Sequence, residues 1–109
     1  MPGELIRMHM LMRMPVGTKM ERVIKVVERN RKWKIDAINN DSGYRLRYGT
    51  PAFVTPYNIH LGGAIGTQSI RAYLGKYTLV FRVDVVVFFG FDENSRLVDL
   101  HVIKYVDAL

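Results

Sequence analysis

From Ser69 to Val106 apolar side chains return at nearly every second position, the period of an extended chain with one buried face. Ile70, Ala72 and Leu74 alternate with Ser69, Arg71 and Tyr73. Phe81 to Phe91 is rich in Val and Phe, Asp92-Glu93-Asn94-Ser95 reads as a turn, and Leu97 to Val106 reads as a further strand. Together they predict a C-terminal three-stranded antiparallel meander. A four-residue loop at Asp92–Ser95 sets Phe89 opposite Val98, Val87 opposite Leu100 and Val85 opposite Val102. A tight turn near Tyr77-Thr78 sets Ile70 opposite Val85, Ala72 opposite Val83 and Leu74 opposite Phe81. One face becomes apolar, and the other places Arg71 opposite Asp84. A one-residue slip would bury charge, so the faces are strongly specified.

A different period governs the segment from Thr18 to Arg31. Met20, Val23, Ile24 and Val27 fall on one stripe at helical spacing, with Lys19, Arg22, Lys25 and Arg29 on the other side. Thr18-Lys19-Met20-Glu21 has the spacing of a capping box. Pro15 and Gly17 end any earlier element. This predicts an amphipathic helix over about 18–31, packed on the apolar face of the sheet, and hence an α+β sandwich. Trp33, Ile35 and Ala37 alternate with Lys34 and Asp36 as a short strand. Asn39 to Gly43 is a dense turn signal, and Tyr44, Leu46 and Tyr48 alternate as a second short strand. Residues 49–68, broken by Pro51, Pro56 and several glycines, read as a long loop. Upstream, the methionine-rich start reads as a short helix, an extended segment or a disordered one.

A chain of 109 residues has room for one domain, and with 49% hydrophobic residues it builds a core without metal or disulfide staples. There is no cysteine, which removes disulfides, thiolate metal sites and cysteine nucleophiles together. No run of residues is long and apolar enough to span a bilayer. The first ten residues lack the layout of a secretory signal. The expectation is a cytoplasmic protein, or a periplasmic one if an export signal has been removed. A net charge of +6 suits anionic partners, and Arg22, Lys25, Arg29 and Lys32 are the candidate anion-facing surface. Trp33, Tyr44 and Tyr48 lie among cations, as in surfaces that stack bases, yet no nucleic-acid-binding motif accompanies them. Nucleic acid is therefore not the expected partner.

Three constellations carry side chains of a kind suited to chemistry. Met8, His9, Met10, Met12 and Met14 carry donors that suit Cu(I), but at helical spacing Leu5, Met8 and Met12 form an ordinary core stripe. Ser69, Asp99 and His101 share a sheet face, yet the middle strand separates Ser69 from His101 by ~9–10 Å of backbone, too far for a nucleophile and its base. They read as surface polar residues. His60-Leu61-Gly62-Gly63-Ala64-Ile65-Gly66 lacks both dinucleotide and P-loop spacing, and its glycines suit loop conformations. No catalytic residue, metal or cofactor is expected.

Two segments carry a likeness to known families. Pro15-Val16-Gly17-Thr18-Lys19-Met20-Glu21-Arg22-Val23, opening a helix that precedes antiparallel strands, resembles the start of small BamE/SmpA-type domains, which share a fold with the beta-lactamase inhibitory protein. Phe89-Gly90-Phe91-Asp92-Glu93-Asn94-Ser95-Arg96-Leu97 resembles their closing hairpin. Domains of this look occur in many bacterial proteins of unassigned function, so the resemblance implies a bacterial origin and carries no site residue over. The same hairpin is similar to the last strands of SnoaL-like, cystatin-like cones, which include ligand-binding proteins and enzymes. Val86, Phe88, His101 and Ile103 fall on the sheet face away from the helix, as an apolar patch of the kind that marks contact sites. The sequence thus suggests a non-enzymatic domain that binds another protein or itself as a homodimer. The alternative is a small-molecule-binding or enzymatic domain with a pocket between helix and sheet.

Overall fold

A computed structural model describes residues 3–45, 64–78 and 81–108. Its elements are α1 (Gly3–Arg13), α2 (Met20–Arg29), β1 (Lys34–Asn39), β2 (Tyr44–Arg45), β3 (Ala64–Ile65), β4 (Gln68–Thr78), β5 (Phe81–Phe91) and β6 (Leu97–Ala108). The four long strands form one antiparallel sheet in the order β1-β4-β5-β6, and β2 pairs with β3 in a small second sheet. The helices pack on the large sheet, an α+β fold as its alternation predicts. Leu46, Tyr48 and most of the expected 49–68 loop lie outside the described residues.

The helix-facing core gathers Val23 and Val27 of α2, Met10 and Met14 from α1 and its C-terminal end, and Ile70, Ala72, Val87, Phe89, Phe91, Leu97, Leu100 and Val102 of the sheet. Full burial of each large side chain here contributes about 1.5–3 kcal/mol. Val85, Val87 and Phe89 point inward, as predicted. The register differs from the sequence-based one by an even number of residues. Ile70 faces Phe89, and Phe89 faces Leu100. An even shift keeps each side chain on its face, which is why the wrong partners still gave the right core. A bulge between Gly90 and Phe91 then swaps Leu97 into the core and leaves Val98 exposed. The Arg71–Asp84 pair does not form. Arg71 lies opposite Phe88, and Asp84 accepts hydrogen bonds from Arg82 Nε at 3.2 Å and Tyr73 Oη at 3.3 Å.

The start of α2 is secured by tertiary contacts rather than by a capping box. Lys19 is the N-cap and makes no side-chain cap, while the Thr18 hydroxyl donates to the Pro15 carbonyl at 2.6 Å. The Met20 amide donates to Ser95 O at 2.8 Å, and the Leu97 amide donates to Thr18 O at 2.8 Å. The β5–β6 turn therefore holds the helix entrance. Asp92 Oδ1 accepts from the Asn94 and Arg96 amides, and Ser95 takes the left-handed conformation with φ of 60°.

Helix α1 contradicts its expected stripe. Leu5, Met8 and Met12 face outward, with Met12 78% exposed, whereas Met10 and Met14 are buried and Ile6 and Leu11 partly so. Apolar residues lie nearly all round this helix, so periodicity could not choose the buried side. The methionines are divided between opposite faces and do not converge on a metal position. Among the described residues no cluster of three His, Asp or Glu side chains forms either.

Candidate functional site

Among the described residues, ionisable groups meet an apolar-walled groove in one place and close burial in another, on opposite faces of the large sheet. The first is a groove of ≈ 530 Å³ lined by Ile6, His9, Met10 and Arg13 of α1, Trp33, residues 74–77 of β4, and Val85. Its shape comes from a β-bulge. Tyr73 pairs with Val86 and Gly75 with Val85, so Leu74 is an extra, unpaired residue. Gly75 sits at φ of 134°, a backbone conformation that a Cβ would strain. The bulge turns the end of β4 beside α1 and leaves a trough between them.

Apolar side chains make its walls: Ile6, Met10, Trp33, Leu74 and Val85. Among the described residues the ionisable ones of the lining apart from Tyr77 are His9, Arg13 and Lys76, with no carboxylate residue, and Lys76 stands opposite Asp84 across the strands. The Arg13 guanidinium stands 5.6 Å from the centre of the Trp33 ring, and Lys104 Nζ lies 5.6 Å from that of Tyr77. Both are cation–π distances.

The second place is the face away from the helices. The β2–β3 pair lies across it, and the close approach uses Gly90, where a Cβ would meet Ile65 O at 2.7 Å and Tyr44 Cε1 at 3.0 Å. Tyr44 Oη and His101 Nδ1 are 2.6 Å apart, both residues being buried. Burial pushes the Tyr44 hydroxyl well above the ordinary tyrosine range. The charge of Asp99 adds to the rise and that of Arg7 opposes it. Arg7 Nη2 meets Asp99 Oδ1 at 2.8 Å, Arg7 Nε donates to Leu100 O at 3.0 Å, and the Leu100 amide donates to Asp99 Oδ1 at 2.8 Å. Both backbone polar groups of Leu100 are thus satisfied by one ion pair, where a further strand would otherwise bind.

These facts correct the sequence-based reading of this face. Val86 and Ile103 are 2% exposed, His101 is fully buried and Phe88 is half-buried against Tyr44, so the four form no open patch. Neither are Ser69, Asp99 and His101 a surface trio. Ser69 donates to the Ser42 carbonyl, Asp99 holds Arg7, and His101 meets Tyr44. Arg22, Lys25, Arg29 and Lys32 are exposed, on and just beyond the outer side of α2, as their spacing predicts. A pocket between helix and sheet is the alternative that the sequence suggests, but none of the residues lining this groove was singled out for it. One signal for it was present, an isolated glycine inside a strand pattern at Gly75, which marks a bulge.

Comparison with family models, curated proteins and solved structures returns no match.

Proposed function

We propose that this chain is a non-catalytic binding domain whose groove between α1 and the bulged end of β4 takes a small, largely apolar molecule. The observation that carries the reading is the apolar-walled cavity of ≈ 530 Å³, within the ~300–1,000 Å³ typical of small-molecule sites. Its floor is firm, because Met10 and Val85 belong to the packed core. Trp33, the single tryptophan, lines it and reports occupancy directly. Titration with 1-octanol should shift Trp33 emission saturably, and Leu74→Phe, which fills the trough, should abolish the shift. An unsaturable or absent response would end this reading.

A second reading, self-association, is favoured by a different observation. Leu5, Met8 and Met12 are exposed on one flank of α1, and Val16 just beyond the helix is exposed too. Here a second copy of the chain covers that flank. Light scattering should then give a dimer that Met8→Lys with Met12→Lys converts to monomer; a monomeric wild type rejects it.

A further inference from the structure

We infer that the groove selects an anionic amphiphile, a single apolar tail carrying a carboxylate or similar head; this rests on the ligand-binding reading above and adds the charge of its ligand. Among the described residues Arg13 and His9 bring basic side chains to an otherwise apolar trough, and no acidic residue lines it. The Arg13 guanidinium is held beside the groove by the Trp33 ring, so it is partly oriented before any ligand arrives. Arg13 is exposed, and a bound carboxylate would therefore displace loosely held water rather than a buried partner. Guanidinium groups bind carboxylates through paired, charge-assisted hydrogen bonds. The tail lies against Ile6, Leu74 and Val85, away from that head.

The walls and the charges make separable demands. Apolar burial alone accepts any head on the same tail, whereas the basic lining ranks heads by charge. A cationic head would meet like charge at Arg13 and be rejected.

Three probes with one tail test this on the full chain: octanoate, 1-octanol and octylammonium, each as monomer, followed by Trp33 emission. Octanoate is expected to bind about tenfold tighter than octanol, with octylammonium weakest. Arg13→Gln should weaken octanoate about tenfold and octanol far less, bringing the two affinities close together. Because Arg13 touches Trp33, isothermal titration calorimetry gives a readout independent of emission and should show the same loss of octanoate affinity in Arg13→Gln. Equal binding of all three heads, or a preference for octylammonium, overturns the anion selectivity while the ligand-binding reading stands. No saturable binding of any probe overturns both. Binding to phosphatidylserine vesicles without binding to monomeric octanoate overturns the inference in favour of a membrane surface.

Discussion

Along β6 Leu100 and Val102 point one way, His101 and Ile103 the other, and the two sets meet different neighbours. Leu100 and Val102 enter a continuous apolar cluster with Phe89 and the helix valines. His101 meets the Tyr44 hydroxyl, with Phe88 beside it and the Arg7–Asp99 pair nearby at the strand edge. One face is sealed by area, the other by a few oriented polar contacts on a smaller apolar base. Area burial is tolerant of detail, because any apolar side chain of similar size serves. Polar contacts are not, since each buried donor or acceptor needs its partner at the right distance.

The difference can be measured. Phe89→Ala should produce the largest loss, about 3–5 kcal/mol in urea denaturation, because it removes a fully buried ring and leaves a cavity. A cost near 1 kcal/mol would mean that the helix-facing layer is not the main source of stability. Asp99→Ala should cost about 1.5–3 kcal/mol, since it takes the acceptor from both Arg7 and the Leu100 amide in a largely buried setting. Adding salt should recover little of that loss, whereas it would erase an exposed pair.

Tyr44→Phe should cost about 1–2 kcal/mol near neutral pH, from the lost contact with His101. It carries a pH signature as well. Folding raises the Tyr44 value above that of the unfolded chain, about 10, so its contribution is complete below that pH and declines as pH climbs toward the folded value. The wild-type urea midpoint should therefore fall between about pH 9 and about pH 11 more steeply than that of Tyr44→Phe. Parallel slopes would place the hydroxyl in water. If Tyr44→Phe cost as much as Phe89→Ala, the contrast between the faces would fail.

Smallest should be Asp36→Asn. Its 3.9 Å pair with Arg71 is well exposed, and the expected change is under about 1 kcal/mol. Circular dichroism melts of the two proteins should nearly superimpose.

Legibility followed the same division. Val87, Phe89 and Leu100 were recognisable as core because alternation survives an even error in register. Val98 was misassigned because a bulge changes parity locally, and nothing in Asp92–Leu97 states how many residues the turn takes up. On α1 the inward side went to Met10 and Met14, while Leu5, Met8 and Met12 were expected there. A helix apolar on several sides leaves that choice to its neighbours. The lining of the groove was not legible for a related reason. Ile6, Trp33, Leu74 and Val85 come from four separate segments, and no spacing in the chain encodes their meeting.

By itself the chain order determined that a helix stripe and a two-residue alternation must bury each other, because hydrophobic burial depends on which residues share a face and little on their exact partners. Only the tertiary structure decided that His101 meets Tyr44, that Arg7 holds Asp99 and that Arg13 stands over Trp33. Such contacts act over a few ångströms between residues distant in sequence, so they exist only once the layers have fixed the backbone around them.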